Sequence, residues 1–242
     1  MWPILFEIGG HAVHAWGAFG ALGFLVVAGV GLWRSERAGI RVDHATDALL
    51  AAAFSGVIGA RGLYVLHHLG DFESKLEWFD VRAGGASFFG ALLVAVPVAT
   101  AVGVLRGLPL LRGWDAFAPA MGLGFAMARI GCFAAGCCFG SPTRLPWGVV
   151  FPGHLGPVHP AQLYEAGFQV ALSAVLLARG RHLREGESFA VWLGATGAGR
   201  FLIEFVRGDP GRAGMFGLTE PQGFALVALG LATVLAVRIR RA

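Results

Sequence analysis

The chain has little charge. Of its 242 residues only 14% are Asp, Glu, Lys or Arg, where soluble proteins average about a quarter, and its mean hydropathy is +0.66. That shortage excludes a disordered, solvated chain and argues against a water-soluble globular domain. Lysine is nearly absent: Lys75 stands alone among 19 basic residues, so the other 18 are arginine. Cysteine is sparse as well. Cys132, Cys137 and Cys138 are too few for a disulfide scaffold and lack the paired C-x-x-C spacing of a zinc site, so neither a metal nor another cofactor is expected. The opening Met1-Trp2-Pro3-Ile4-Leu5-Phe6-Glu7 has no basic n-region and no small-residue cleavage site, which argues against a removable signal peptide. With no linker, low-complexity tract or internal repeat, one polytopic domain over residues 1–242 is expected.

What the sequence has instead is long apolar runs. Crossing about 30 Å of hydrocarbon takes around 20 mostly apolar residues. Seven such runs occur, at about 16–33, 47–66, 86–105, 116–139, 161–178, 189–206 and 221–237. Glycine is frequent inside them, as small residues are where helices pack closely in lipid. The expectation is an all-α membrane protein, a bundle of about seven transmembrane helices.

The loops between the runs carry an orientation signal, because Lys and Arg are retained on the cytoplasmic side. Arg34, Arg37, Arg41, Arg106, Arg112, Arg179, Arg181, Arg184, Arg238, Arg240 and Arg241 fall on one side, and Lys75, Arg82, Arg144, Arg207 and Arg212 on the other. This places the N-terminus outside, on the periplasmic face, and the C-terminus in the cytoplasm. The positive formal charge is therefore a topology signal and not the footprint of a nucleic-acid partner.

Three basic residues remain inside the spans: Arg61, Arg129 and Arg200. An arginine at mid-membrane costs about 2.5–3.5 kcal/mol on insertion scales, so something must compensate. In the seven-span topology all three fall in the outer half, with Glu204, Gln162, Tyr164, Glu165 and Gln222 at the same level. A guanidinium is planar, permanently charged, and matches phosphate oxygens in a fork. A buried phosphate from an outer-leaflet phospholipid headgroup is the anion this level suits. Internal pairing is the competing use, since Arg200 and Glu204 are four residues apart on one helix face and Arg207 lies about a turn further on.

The densest segment is Ala128-Arg129-Ile130-Gly131-Cys132-Phe133-Ala134-Ala135-Gly136-Cys137-Cys138-Phe139-Gly140. Here the sequence resembles the prolipoprotein diacylglyceryl transferase family, whose central signature is G-R-x-G-N-F-x-N-x-E-x-x-G; Arg129, Gly131, Phe133, Gly136 and Gly140 fall into place. The resemblance continues at Gly59-Ala60-Arg61 with Tyr64, at Gly84-Gly85-Ala86-Ser87-Phe88, at His159-Pro160-Ala161-Gln162-Leu163-Tyr164-Glu165, and from Arg200 to Asp209. It covers residues 16 to 225 or so, and it implies seven spans with the N-terminus outside. It also implies an enzyme of the bacterial inner membrane that moves the diacylglyceryl group of phosphatidylglycerol onto the thiol of a lipobox cysteine in a preprolipoprotein. Arg129 and Arg200 would then serve the chemistry. Arg61, Tyr64, Gly131, Gly140, Gln162, Tyr164, Glu165, Glu204 and Arg207 would line the lipid site.

Forming a thioether also requires a thiolate, since the thiol is the weaker nucleophile, and here the sequence departs from the family. Phe89 stands where the family's S-F-H-G-G run has its histidine, and phenylalanine cannot move a proton. Thr196 stands for a tyrosine four residues before Arg200, Trp16-Gly17 for an early Tyr-Gly, and Cys132 and Cys137 for the signature's first Asn and its Glu. The chain reads as a divergent, cysteine-containing member with the phosphate side kept and the acceptor side rebuilt. His159, the pair His67 and His68, and Glu165 are the alternatives for a base. The cysteines read as small thiols filling space, with a disulfide or reactive thiol as the other uses. A member acting on a different acceptor, a catalytically silent phospholipid-binding protein and a thiol-redox protein are the competing functions.

Overall fold

The computed structural model describes residues 1–80, 84–207 and 217–241. Arg82, Gly208, Asp209 and Arg212, which carry part of the loop count and of the last motif, lie outside the described residues. The described residues form a β-hairpin, β1 (Ile4–Ile8) and β2 (His11–His14), followed by seven α-helices: α1 (Ala15–Arg37), α2 (Val42–His67), α3 (Phe88–Leu105), α4 (Leu110–Ala135), α5 (Ala161–Arg179), α6 (Glu187–Glu204) and α7 (Glu220–Arg241). Each of the seven apolar runs coincides with a helix. All except α6 are long and apolar enough to cross a membrane. In α6 the charges of Glu187, Arg200 and Glu204 dilute the apolar run.

Two features differ from the sequence reading. The hairpin is additional; its turn is Gly9-Gly10, with φ of 57° and 78°, the left-handed pair a two-residue hairpin turn requires. The fourth helix also begins at Leu110 and stops at Ala135, short of residue 139. Gly136 at φ 78° and Cys138 at φ 65° turn the chain out of the helix, and an apolar run cannot announce such a stop.

The burial pattern is that of a chain solvated by lipid. Its buried apolar residues are mostly alanine, among them Ala116, Ala118, Ala120, Ala126, Ala161, Ala190 and Ala225. Large side chains such as Phe54, Ile58, Leu105, Leu202, Val227 and Leu231 face outward. In hydrocarbon large apolar groups gain nothing from hiding, while small ones let backbones approach.

The chain forms two compact units: Ser35–Gly113, and Met1–Arg34 together with the residues from Trp114 onward. In the first, α2 and α3 meet at Gly59 and Gly90. A side chain on Gly90 would strike Leu63 Cβ at 2.6 Å as well as the Gly59 carbonyl. Arg61, on α2 of this unit, is spent on backbone. Its Nε donates to the Trp78 carbonyl at 2.8 Å, Nη2 to Glu77 O at 2.6 Å, and Nη1 to Gly84 O and Gly85 O at 2.5 and 3.0 Å. Its guanidinium also sits 5.4 Å from the centre of the Tyr64 ring, which stacks on His68. Gly85, at φ 81°, leaves the space this ring fills. Arg61 therefore ties down the segment that leads into α3, which Ser87 caps by accepting from Gly90 N at 3.3 Å. A lysine has no fork to span these carbonyls. Arg61→Lys is expected to release the 3₁₀ turn Lys75–Phe79, read as faster tryptic cleavage after Lys75; unchanged cleavage would deny Arg61 this role.

In the second unit, Asp115 of α4 caps α6 from outside, where Gly186 offers no side chain: its carboxylate accepts from Gly186 N at 2.5 Å and Phe189 N at 2.8 Å. At the other end, Thr219 and Gln222 form a reciprocal capping box for α7, Thr219 N donating to Gln222 Oε1 at 3.0 Å.

Candidate active site

Helices α4, α5 and α6 each bring charge to one place inside the second unit. From α5, Glu165 is buried at 3% side-chain exposure and pairs with Arg129 Nε of α4, with Arg200 Nη1 of α6 at 2.8 Å, and with Arg207 Nη1 at 3.9 Å. One α6 turn on, Glu204 takes the other arm of Arg200, Oε2 to Nη2 at 2.7 Å, and reaches Arg207 Nε at 3.9 Å. Thr219 Oγ1 donates to Glu204 Oε1 at 3.0 Å, so the start of α7 closes the network. Among the described residues, three guanidinium groups thus share two carboxylates.

The three arginines are not equivalent. Arg207 is nearly closed off, at 4% side-chain exposure, whereas Arg129 and Arg200 keep 18% each. Arg200 is held at both terminal nitrogens by the two glutamates. Arg129 is held through Nε, and its guanidinium lies 4.9 Å from the centre of the Phe125 ring. Among the described residues its terminal nitrogens carry no hydrogen bond, so Arg129 presents an open fork.

The other residues singled out in the sequence frame this network. Gln162 donates to the Cys137 carbonyl at 2.5 Å and fixes the turn after α4. Gly140 is wedged where a side chain would strike the Val206 carbonyl and His159 Cβ; its amide donates to His159 O at 2.7 Å, and Ser141 N donates to Val206 O at 2.8 Å. The loop is thereby strapped to the end of α6, beside Arg207. Gly131 packs α4 against α1, where a side chain would strike Phe19 Cβ at 2.7 Å. Tyr164 accepts from Trp147 Nε1 at 2.8 Å and meets His159 Nδ1 at 3.2 Å. Arg61, Tyr64 and Phe89 belong to the other compact unit.

Two arrangements carry no signal in the sequence reading. The three cysteine sulfurs, spread over Cys132, Cys137 and Cys138, lie within 4.8 Å of one another, and Cys137 is exposed. Arg129 and Arg207 are close enough to act electrostatically on Cys138. Beneath Glu165 a polar stripe continues down α5 through Gln169 and Ser173, both buried. Gln169 Nε2 donates to Thr196 at 3.0 Å. Among the described residues Gln169 Oε1, Ser173 Oγ and Trp192 Nε1 are buried without a hydrogen-bond partner, and all three border the space above Gly122. A methyl there would strike Ser173 Oγ and crowd Gln169 Oε1 at 3.1 Å. Gly122→Ala is therefore expected to cost about 1–3 kcal/mol, the usual range for overpacking, seen as a lower melting temperature in detergent. An unchanged melting temperature would mean the space is not confined.

Comparison with known proteins gives one consistent picture. A profile of the family described as prolipoprotein diacylglyceryl transferase matches residues 3–238. Proteins named phosphatidylglycerol--prolipoprotein diacylglyceryl transferase are similar over nearly the whole length. The one from Geobacter sulfurreducens is 32% identical, over 99% of this chain and 96% of its own. That of Clostridium tetani is 29% identical, over 96% of both chains, and that of Bordetella bronchiseptica 34%, over 95% of this chain and 87% of its own.

Proposed function

The chain belongs to the prolipoprotein diacylglyceryl transferase family, a family of multi-pass membrane transferases, and from that premise we propose that it transfers the diacylglyceryl group of phosphatidylglycerol to an acceptor thiol, the lipobox cysteine of a preprolipoprotein. The observation that carries the reading is the open fork of Arg129 inside the buried ion-pair network. A phosphodiester headgroup carries one negative charge, and the Arg129 side chain keeps 18% exposure with its terminal nitrogens without a hydrogen bond among the described residues. Burying an ion is tolerable only when it is paired, so an anionic lipid phosphate and this guanidinium stabilise each other.

The roles follow from access. Arg129, with its terminal fork unengaged, binds the phosphate oxygens. Arg200, pinned at both ends by glutamates, is a fixed positive charge beside the scissile C–O bond, where it stabilises charge developing on the departing glycerol phosphate. Arg207 supports from behind. Glu165 holds all three in register, and Gln162, Gly140 and Gly131 place the elements around them. Tyr164, gripped by Trp147 and His159, forms one edge of the acceptor side, with His159 the titratable group nearest to hand there. Arg61 and Tyr64, in the other compact unit, hold the backbone before α3. The loop charges support a position for this layer toward the periplasmic face of the bacterial inner membrane, with the N-terminus outside, where the lipid and an exported acceptor can both reach it.

The reading is tested by complementation of a strain depleted of its own diacylglyceryl transferase. Restored growth with thioether-linked lipoprotein is the expected result. Stable expression without rescue, combined with lipid retention but no turnover in purified protein, would favour a silent phospholipid-binding protein.

A further inference from the structure

Thioether formation needs the acceptor thiol as its thiolate, and the described residues offer little to remove the proton. Glu165 is committed to three arginines, His159 is joined to Tyr164, and Phe89 replaces the expected histidine. The cysteine cluster supplies another route. We infer that Cys132, Cys137 and Cys138 form a three-thiolate zinc site whose fourth position takes the acceptor thiol. The inference rests on the transferase reading above.

The geometry suits the ion. A tetrahedral zinc thiolate has Zn–S bonds of about 2.3 Å, which sets its sulfurs about 3.8 Å apart. Cys137 Sγ and Cys138 Sγ are already 3.5 Å apart, and all three sulfurs fall within 4.8 Å. Adjacent side chains of an extended strand point to opposite sides, so two successive sulfurs can converge only on a turned backbone. Cys138 provides the turn: at φ 65° it is the one non-glycine residue in the left-handed region among the described residues. Such a conformation is uncommon outside glycine, asparagine and aspartate, and it persists where the surroundings enforce it. Here they do, since Gln162 grips the Cys137 carbonyl and Gly140 is strapped to His159. Three protein ligands leave the open coordination position that distinguishes a catalytic zinc from a structural one. Cys132 lies one helical turn after Arg129, the residue that would hold the phosphate.

The chemistry balances without an oxidant or a reductant. The acceptor thiol enters the fourth position and gives its proton to water, because a coordinating thiol is deprotonated by the ion. The sulfur's electron pair then forms the S–C bond to the glyceryl carbon that carries the phosphate ester. That carbon's C–O bond breaks, its electron pair stays with the phosphate oxygen, and glycerol phosphate departs. The neutral thioether is a poor ligand and yields to the next thiol.

Cobalt(II) titration into the full-length protein, in micelles containing phosphatidylglycerol, tests the site without relying on turnover. The expected result is thiolate-to-cobalt charge-transfer absorption saturating at one equivalent and lost in Cys138→Ser. The visible cobalt bands should shift when a cysteine-containing lipobox peptide is added and stay still with its serine analogue. Folded wild-type protein without thiolate-to-cobalt absorption would overturn the inference, as would equal metal binding by Cys132→Ser/Cys137→Ser/Cys138→Ser. Chelated, zinc-free protein that still transfers lipid at the full rate would remove the zinc site and leave the transferase reading intact. Cobalt bands that answer to the thiol, in protein that never releases glycerol phosphate, would uphold the thiol site and remove the transferase reading.

Discussion

Arg129→Ala is expected to abolish release of glycerol phosphate from phosphatidylglycerol while leaving the helices assembled. Removing one preorganised donor from a developing anion costs about 10²–10³ in turnover in well-studied enzymes. Arg129 should stand at or beyond that range, because it offers the open fork of the network: Nε is paired with Glu165 and the side chain keeps 18% exposure. Arg129→Lys should fall between wild type and alanine, since lysine keeps the charge and loses the bidentate geometry. Arg144→Ala, at an exposed position of the loop after α4, serves as the control and should stay near wild type. If Arg129→Ala turned over lipid like the control, the phosphate would have to bind elsewhere.

The second large effect concerns stability. Glu165 is the hub of three ion pairs at 3% side-chain exposure, so Glu165→Gln removes the carboxylate that Arg129, Arg200 and Arg207 share, and among the described residues Glu204 pairs only with the last two. Breaking a buried pair by removing one partner typically costs about 3–5 kcal/mol, because the remaining charge stays desolvated and uncompensated. The expected outcome is a large fall in melting temperature in detergent. The loss should be smaller in Glu165→Gln/Arg129→Leu, which removes one charge of each sign and so leaves the net charge of the cluster as in the wild type, and the two substitutions should be strongly non-additive. Additive losses would show that Glu165 contributes through packing and not as the counter-ion of the cluster. The same comparison separates the hub from the substrate contact: Arg129→Ala removes activity with little loss of stability, Glu165→Gln removes both.

These expectations rest on residues whose type and position were legible in the sequence for a physical reason. Hydrocarbon makes every buried charge expensive, so Arg129, Arg200, Glu165 and Glu204 stand out against apolar runs, and the spacing of four between Arg200 and Glu204 already implies their pairing. Helix positions were legible on the same ground, since length and apolarity are what a bilayer demands. What depends on backbone was not. Arg61 looks like the other intramembrane arginines, yet its partners are the carbonyls of Trp78, Glu77, Gly84 and Gly85, and a carbonyl is present at every residue. The stop of α4 at Ala135 and the gathering of three sulfurs depend on left-handed backbone at Gly136 and Cys138. Cysteine at such a position gives no warning, because glycine and asparagine are the residues that advertise that conformation. The polar trio around Gly122 was hidden for a different reason: Gln169, Ser173 and Trp192 come from two helices, and α5 and α6 set their convergence.

The central claim is that the arginine–glutamate network, through the open fork of Arg129, binds a monoanionic phospholipid for transfer to a thiol. Its most direct test uses purified protein in liposomes containing phosphatidylglycerol labelled in its headgroup glycerol, with a cysteine-bearing lipobox peptide. Labelled glycerol phosphate should enter the water phase in step with thioether formation on the peptide, and neither should occur with the serine peptide or with Arg129→Ala. Folded wild-type protein that holds the lipid yet releases no glycerol phosphate to the cysteine peptide would contradict it.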